Sequence, residues 1–293
     1  MAQGAPSETG REAVAVKIGF IGLGSMGAPI ARRLARCGHA VIGCDISSAA
    51  LEAFDEPDTE READPLATAR DVDFLGVCVR TDDQLRDLIG DGAIFNAMGA
   101  GSIFILNSTV APDLARRLAA EAQEHGVGFI DVGVSGGGPA AIEGKLSLFV
   151  GGEEATVEKA RPFLDAIGIV AWLGPVGRGL EGKLLNNLVS IANYGMAAAI
   201  LDLGVEMDFD REQLREALMI GSARGFALQA VPGLVGWRDG MTAEYLDDIH
   251  DLLAKDVIHA AELAPADNPA MKALQASCQA MLARVKRGAD ERR

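Results

Sequence analysis

The stretch "VKIGFIGLGSMGAPIARRLARCGHAVIGCDIS", residues 16–47, decides the fold. It begins with an apolar run typical of a buried strand, passes through three glycines, and then takes on the spacing of an amphipathic helix. Gly22, Gly24 and Gly27 form the pattern G-x-G-x-x-G at this turn. The first glycine permits a tight turn, the second lets the backbone approach a pyrophosphate at the helix N-terminus, and the third allows close contact between helix and strand. The stretch predicts a dinucleotide-binding unit, with a purely structural glycine-rich turn as the alternative.

The next strand ends in Asp45, 23 residues after Gly22 and about where a ribose-binding acid belongs. A carboxylate accepts hydrogen bonds from a free ribose 2′-hydroxyl and repels a 2′-phosphate. The following segment "DISSAAL" supplies no arginine that could bind such a phosphate. NAD is therefore favoured as the cofactor, with NADP left open.

The N-terminal part of the chain alternates between two kinds of pattern. Strand-like runs at 16–21, 40–44, 72–79, 102–106 and 127–130 are separated by helical patterns near 26–37, 48–55, 82–89 and 111–125. A further unit at 145–174 reads as strand, helix ("EEATVEKARPFLDAIG") and strand. This alternation predicts an α/β Rossmann domain with a doubly wound, mostly parallel sheet.

Beyond "GPVGRG", residues 174–179, the strand signal stops. Helical patterns follow at 179–205, 211–220, 244–263 and 268–287. Because a chain of 293 residues is longer than a domain with a single hydrophobic core usually is, two domains are expected. We predict a disordered leader at 1–15, a dinucleotide-binding domain at 16–177, and an all-helical domain at 178–293 for substrate binding and dimerisation.

A polar stripe interrupts the apolar helix predicted to begin with "GLEGKLLNNLVS", residues 179–190. At 3.6 residues per turn, one side carries Gly179, Lys183, Asn187, Ser190 and Tyr194, and apolar side chains cover the other sides. Burying an ammonium group costs several kcal/mol unless it is paired or its pKa falls. We expect the stripe to face a site, because the helix is too apolar on its other sides to lie at the surface. A solvated lysine is the alternative.

A second glycine-rich segment, "DVGVSGGGPAAIEGKLSLFVGG", spans residues 131–152. Ser135 precedes Gly136, Gly137 and Gly138, whose backbones can point successive N–H groups at one anion. A carboxylate would fit this arrangement. A flexible turn is the alternative for the triplet taken alone.

The chain carries five motifs in this order: "GFIGLGSMG", "NSTVAP", "VSGGGPAAIEGKLSLFVGG", "GKLLNN" and "AKD". Together they resemble the motifs of the β-hydroxyacid dehydrogenases. This family includes the 3-hydroxyisobutyrate dehydrogenases and is related to 6-phosphogluconate dehydrogenase. The resemblance runs from about residue 17 to 285. It implies a Rossmann domain joined by a long helix to an all-helical domain, and an NAD(P)-dependent exchange between a short β-hydroxy acid and its semialdehyde or keto form.

The resemblance also implies a role for individual residues. Lys183 is the implied catalytic residue and Asn187 a substrate ligand, while Ser135, Gly136 and Gly137 hold the substrate carboxylate. Thr109 would approach the nicotinamide and Lys255 would close over the site. The other implied cofactor residues are Gly22, Leu23, Gly24, Ser25, Met26, Gly27, Asp45, Val79, Arg80 and Gln84. The family usually shows Leu-Pro where this chain has Val79 and Arg80, and Pro where it has Gly133.

Desolvation would lower the pKa of Lys183, so that the amine could take the alcohol proton as hydride leaves and return it in the reduction. Two alternatives stay open. An imine reductase on the same scaffold is one, although those proteins typically replace the lysine. A dinucleotide-binding sensor without turnover is the other.

Composition predicts a soluble, cytoplasmic protein. A net charge of −15 disfavours nucleic acid and anionic membranes as partners, and no apolar run approaches a membrane span free of Lys, Asp and Glu. The four cysteines show no C-x-x-C pairing and predict reduced thiols, and the histidines lack metal-ligand spacing, so no metal site is expected. The apolar long helix predicts a homodimer or homotetramer.

Overall fold

The structure is a computed structural model that describes residues 15–265 and 267–293. The predicted leader at 1–15 lies outside the described residues, apart from Ala15. The chain divides into two compact units, the first ending at Leu180 and the second beginning at Glu181.

The first unit is built on one sheet of eight strands. They are β1 (Lys17–Ile21), β2 (Ala40–Cys44), β3 (Thr59–Glu62), β4 (Phe74–Val77), β5 (Ile103–Leu106), β6 (Gly128–Ser135), β7 (Leu146–Gly151) and β8 (Gly168–Gly174). Their spatial order is β3-β2-β1-β4-β5-β6-β7-β8, and only β6 and β7 pair antiparallel. The first six strands have the 3-2-1-4-5-6 order of a dinucleotide-binding sheet. The predicted mostly parallel α/β fold is confirmed.

Nine helices of the first unit connect these strands within the described residues. They are α1 (Gly27–Arg36), α2 (Ser48–Ala53), α3 (Pro65–Thr68), α4 (Asp82–Ile89), α5 (Ala93–Met98), α6 (Pro112–Glu124), α7 (Gly137–Glu143), α8 (Glu154–Lys159) and α9 (Arg161–Ile167). The single helix expected across 153–168 is two helices, because Pro162 cannot donate the backbone hydrogen bond that would continue α8. The short helices α3, α5 and α7 were not predicted.

Strand β3 was also missed by the sequence patterns. Its sequence "TERE" has no apolar residue, and its side chains are half-buried or exposed. The strand lies at the edge of the sheet, where charged side chains are common because they discourage pairing with other chains. A period-2 apolar pattern is therefore absent from this strand.

The core of the first unit lies in two layers, one on each face of the sheet. Ile103 and Ile105 of β5 belong to one buried apolar cluster, and Phe104 and Leu106 to the other. Successive strand residues point to opposite faces, so this alternation shows that both faces are covered. A strand buried on both faces reads as a continuous apolar run, which is how β5 was recognised.

A buried carboxylate organises the start of the long helix α10 (Arg178–Glu206). Asp131 of β6 is fully buried and accepts hydrogen bonds from the backbone N–H groups of Gly177 and Leu180, each at 2.7 Å. Gly179 lies against the sheet here, because a Cβ would come within 2.5 Å of the Phe149 carbonyl oxygen. Gly179 is thus used for packing and is not an exposed member of the predicted polar stripe.

The second unit contains only helices in its described residues. α10 continues into it and is followed by α11 (Arg211–Ile220), α12 (Phe226–Ala230), a 3-10 turn (Val231–Gly233), α13 (Ala243–Ala261) and α14 (Pro269–Asp290). Leu184, Leu188 and Ile191 of α10 share one buried cluster with residues of α14 such as Met281. At Gly195 a Cβ would lie 2.3 Å from the Ser277 carbonyl oxygen, so this glycine lets α10 and α14 approach closely. The predicted all-helical segment is confirmed, although α12 was not predicted.

One apolar side of α10 is uncovered, which corrects the expectation that apolar faces keep this helix off the surface. Leu185, Val189 and Met196 are 51, 48 and 55% exposed. The expectation that no run approaches a membrane span is also wrong for α10. Its length and a mean hydropathy of 1.6 would suffice to cross a membrane, although 44% of that window is buried inside the protein.

Candidate active site

Four loops that carry predicted site residues leave the sheet at the same edge. Strands β1, β4, β5 and β6 are parallel neighbours, so their carboxyl ends lie together. The glycine loop follows β1, Val79 follows β4, Thr109 follows β5, and Ser135 ends β6. In doubly wound sheets, ligands bind at this edge, where the strand order reverses on either side of β1. The first unit therefore brings these residues to one place.

The glycine loop has the backbone that the pattern predicts. Gly22 has φ of 95°, and a Cβ there would lie 2.2 Å from the Cys78 carbonyl oxygen. A Cβ on Gly27 would lie 1.8 Å from the Gly22 carbonyl oxygen, so helix and loop could not approach as they do. Gly24 is exposed, and no described atom lies within 4 Å of its Cβ position. The loop thus leaves open space where a pyrophosphate would meet the start of α1.

Asp45 is joined directly to this loop. Its two carboxylate oxygens accept hydrogen bonds from the backbone N–H groups of Leu23 at 2.7 Å and Ser47 at 2.8 Å. Each oxygen has a second lone pair that a ribose hydroxyl could use. Ile46, which follows it, is 90% exposed and offers an apolar surface beside the carboxylate. The sequence analysis did not consider Ile46. The one feature that could have pointed to it is that an apolar residue directly follows the predicted ribose-binding acid.

The loops after β4 and β5 are tied to each other. The backbone N–H of Val79 donates to Ser108 Oγ at 2.7 Å. Gln84 Oε1 accepts hydrogen bonds from the backbone N–H groups of Arg80 and Thr81, at 2.9 and 3.2 Å, which completes a capping box at the start of α4. The structure therefore shows the Gln84 side chain shaping this loop. Thr109 directly follows Ser108 in the chain and is half-buried.

Asn107 is a residue of this edge that the sequence analysis missed. It follows β5 directly and is 3% exposed, yet neither its Oδ1 nor its Nδ2 has a hydrogen-bond partner among the described residues. Buried amides are usually paired, because an unpaired group loses its hydration without compensation. The sequence feature that could have identified Asn107 as a site residue is its position, as a polar residue at the carboxyl end of a buried strand.

The second glycine segment lies against the first. Ser135 is half-buried, and Gly136 and Gly137 have φ of 133° and 73°, which favour glycine. Helix α7 begins at Gly137, so the backbone N–H groups of its first turn are available near Ser135. A Cβ on Gly138 would lie 3.5 Å from the Ser25 carbonyl oxygen of the dinucleotide loop. The two predicted glycine motifs are thus neighbours in the first unit.

The polar stripe belongs to the second unit. Lys183, Asn187, Ser190 and Tyr194 are all half-buried along one side of α10. Burial lowers the pKa of Lys183, and the negative charge of Asp256 acts in the opposite direction. Burial also raises the pKa of Tyr194. A lysine whose ammonium form is disfavoured by its surroundings can exchange a proton closer to neutral pH.

Asp256 is the residue of this unit that the sequence analysis did not single out. It lies on α13, is 5% exposed, and its Oδ2 accepts a hydrogen bond from Asn187 Nδ2 at 2.5 Å. Its Oδ1 has no hydrogen-bond partner among the described residues. Asn187 Oδ1 in turn accepts from Asn186 Nδ2 at 3.1 Å. The side chain of Asn187 is therefore held from both ends. The sequence did contain a sign that Asp256 belongs to the site, because this residue ends the motif "AKD". Its neighbour Lys255 is half-buried on the same helix.

The first unit defines a class of protein. Its first six strands have the order 3-2-1-4-5-6, and its G-x-G-x-x-G turn has open space at the second glycine. The acid after β2 is hydrogen-bonded to that turn. These are the features of an NAD(P)-binding Rossmann domain.

Comparison with known proteins narrows this class. Residues 17–174 match the family described as the NAD binding domain of 6-phosphogluconate dehydrogenase. The chain is 33% identical to a 2-(hydroxymethyl)glutarate dehydrogenase of Eubacterium barkeri, over 73% of this chain and 72% of that protein. It is 32% identical to the mitochondrial 3-hydroxyisobutyrate dehydrogenase of Homo sapiens, over 76% of this chain and 67% of that protein.

A solved structure gives the same result. The 3-hydroxyisobutyrate dehydrogenase of Mycobacterium tuberculosis, solved with L-serine, is similar with a TM-score of 0.75 and 25% identity, covering 94% of this chain and 96% of that one. The chain belongs to the β-hydroxyacid dehydrogenase family, as the resemblance of its motifs predicted. Its cofactor is NAD(P).

Proposed function

We propose that this protein oxidises a short β-hydroxy acid to its semialdehyde or keto form, and catalyses the reverse reduction, with NAD as the favoured cofactor and Lys183 as general acid/base. The names of its relatives support the substrate class. 2-(Hydroxymethyl)glutarate and 3-hydroxyisobutyrate, and the L-serine of the M. tuberculosis structure, are all carboxylates with a hydroxyl group on the β-carbon.

The observation that carries the proposal is the setting of Lys183. It is half-buried on α10, its pKa is lowered by burial, and Asn187 one turn on is held at 2.5 Å by the buried Asp256. In the oxidation, the neutral amine of Lys183 takes the hydroxyl proton as the carbon–oxygen bond gains double-bond character. In the reduction, the ammonium returns this proton. The bound nicotinamide supplies the hydride acceptor or donor.

The proposal assigns roles to the other residues. The carboxylate of the substrate is bound by Ser135 and the backbone of Gly136 and Gly137, and Asn187 Nδ2 offers its second N–H to the substrate. The glycine loop and Asp45 bind the pyrophosphate and the adenosine ribose. Thr109 and Lys255 contact the nicotinamide side of the cofactor, and the backbone of Val79 and Arg80 lines the same edge.

A reduced-cofactor absorbance screen over C3 to C5 β-hydroxy acids with NAD tests the function. We expect turnover with at least one of them. Cofactor binding without hydride transfer to any hydroxy acid would favour a non-catalytic sensor, and reduction of cyclic imines in place of carbonyl acids would favour an imine reductase.

Replacement of Lys183 tests the mechanism. General acid/base groups contribute about 10²- to 10⁴-fold, so Lys183→Ala should lower kcat by that order while NADH affinity, measured by fluorescence, barely changes. Lys183→Arg should rescue little, because a guanidinium is not deprotonated near neutral pH. Lys272→Ala, an exposed lysine of α14, is the matched control. If folded Lys183→Ala turns over within a few-fold of wild type, the lysine has no chemical role.

A further inference from the structure

A group of charged and aromatic side chains, with the buried Arg284 among them, lies in the second unit, distant along α10 from Lys183. It consists of Asp202 on α10, Arg211 at the start of α11, Trp237 after the 3-10 turn, and Arg284 on α14. We call these four residues the arginine–tryptophan cluster. Asp202 follows Lys183 by 19 residues, which corresponds to roughly 28 Å along a helix. The proposed dehydrogenase chemistry uses none of the four.

The cluster contains two cations and one anion. Asp202 Oδ1 lies 3.2 Å from Arg211 Nη2, and Asp202 Oδ2 lies 3.0 Å from Arg284 Nε. The Cζ atoms of Arg211 and Arg284 lie 4.3 and 5.1 Å from the centroid of the Trp237 ring. Both guanidinium groups therefore share one carboxylate and one aromatic ring. The charges of Glu291 and Arg287 also act on Arg284 and are opposite in sign, so the cluster keeps an excess positive charge in a chain whose net charge is −15.

Several donors of the cluster lack acceptors. Arg284 is 6% exposed, and its Nη1 has no hydrogen-bond partner among the described residues. The same holds for the buried Arg211 Nε and Trp237 Nε1, and Arg284 Nε faces Asp202 without hydrogen-bond alignment. Native proteins rarely leave buried donors unpaired, and a guanidinium cannot lose its charge to escape the cost. Burial lowers the pKa of Arg284, and the charges of Asp202 and Glu291 act in the opposite direction without fully offsetting it.

We propose that the arginine–tryptophan cluster binds a small anion, either an inorganic ion or the carboxylate group of a small acid. Such an anion would accept hydrogen bonds from Arg211, Trp237 and Arg284 and neutralise the excess charge. A water molecule would satisfy donors but leave that charge in place. The anion enters from the Arg211 side, because the Arg211 side chain is 36% exposed whereas that of Arg284 is 7% exposed.

The intrinsic fluorescence of Trp237 provides a direct readout. The chain has two tryptophans, and Trp172 lies on β8 in the first unit, where its Nε1 donates to the Gly152 carbonyl oxygen. In a Trp172→Phe background, Trp237 is the only tryptophan. We expect a saturable change in its fluorescence, and a rise in Tm, on titration with chloride, phosphate or acetate at an ionic strength held constant with a bulky sulfonate buffer.

Two arginines of α11 form a matched pair of variants in that background. Arg211→Met removes a cluster donor at a partly exposed position, and Arg215→Met removes an arginine one turn on that pairs with Glu212. We expect Arg211→Met to raise the titration midpoint about ten-fold or more, as the loss of a charge-assisted hydrogen bond does. Arg215→Met should leave the midpoint unchanged. Trp237→Phe, which keeps an aromatic ring but removes the indole N–H donor, should reduce the anion-dependent rise in Tm.

The outcomes separate the possibilities. A response to acetate alone identifies a carboxylate ligand, and a response to chloride or phosphate identifies an inorganic one, and both support the site. No saturable response to any of the three anions would overturn the proposal, because the donors would then be served by water. Equal midpoints in Arg211→Met and Arg215→Met would overturn it too, since the ion would be bound elsewhere. Neither result depends on turnover or on Lys183.

Discussion

We expect Lys183 and Asp256 together to set the pH range in which the proposed reaction proceeds. Burial lowers the pKa of Lys183, so the neutral amine needed for oxidation forms at a lower pH than for a lysine in water. We expect kcat for oxidation to rise with pH through this lowered pKa and then level off. Because reduction needs the ammonium, its kcat should fall across the same range. Profiles of kcat against pH in both directions check this, and a pH-independent oxidation would contradict it.

Asp256 should act on that pH profile as a positioning residue. Its charge raises the pKa of Lys183, so Asp256→Asn should lower this pKa further and move the rise of the oxidation profile to lower pH. The loss of the charged acceptor for Asn187 Nδ2 should also raise KM. The control is Asp251→Asn, an exposed acid on the same helix. An unshifted profile in a folded Asp256→Asn variant would mean that Asp256 is only structural.

Asp45 should determine the choice of cofactor. Its carboxylate lies beside the glycine loop, where it would repel the 2′-phosphate of NADP. We expect wild-type kcat/KM to be higher with NAD than with NADP, and Asp45→Asn to lower the ratio of the two by about ten-fold. Asp55→Asn, an exposed acid in the same region, should not change the ratio. A wild-type preference for NADP would refute this assignment.

At the scale of elements, the start of α10 depends on one buried carboxylate. Asp131 accepts hydrogen bonds from the backbone N–H groups of Gly177 and Leu180, each at 2.7 Å. Burial raises the pKa of Asp131, and these two hydrogen bonds act in the opposite direction. Asp131→Asn would turn an amide N–H toward one of the two donors and leave it unpaired.

We therefore expect Asp131→Asn to lower the free energy of unfolding by about 1–3 kcal/mol, as for other unsatisfied buried groups. Urea denaturation followed by circular dichroism measures this. Asp113→Asn on α6, whose side chain is 79% exposed, is the control and should change stability little. Equal stabilities for both variants would show that α10 begins without help from Asp131.

At the scale of the whole molecule, exposed apolar side chains on the second unit need an explanation. Leu185, Val189, Met196, Ile200 and Leu203 follow one side of α10 and are between 44 and 55% exposed. Large exposed apolar surfaces on a protein mark interaction sites. We propose that this side of α10 contacts a second copy, so that the protein forms a homodimer or homotetramer.

Light scattering tests the assembly. We expect a mass at least twice the 30.6 kDa of the chain at micromolar concentration. Leu185→Lys combined with Met196→Lys should shift the mass toward that of the monomer, because two buried ammonium groups are costly in an interface. Ile169→Lys, at a 76% exposed position of β8 in the first unit, should leave the mass unchanged. A wild-type mass near 30.6 kDa would refute the proposal.

The sequence by itself determined the dinucleotide fold, the order of its main strands and helices, and the position of the glycine loop relative to Asp45. These features are local. A G-x-G-x-x-G turn constrains the backbone of a few consecutive residues, as the φ of 95° at Gly22 shows, and strand and helix periodicities extend over single elements. Strand β3, which the sequence missed, carries no apolar residue, and the missed helices are only four to seven residues long, which is too short for a helical period to be seen.

Only the tertiary structure decided how the site residues are held. Asp256 accepts a hydrogen bond from Asn187, 69 residues away in the sequence. Asp131 accepts one from the backbone of Leu180 at the start of α10, 49 residues away. It also decided which side of α10 is covered, since Leu184 is buried and the adjacent Leu185 is half exposed although both are leucines of one apolar helix. Such pairings depend on which distant elements pack together, and the periodicity within one element carries no information about its partners.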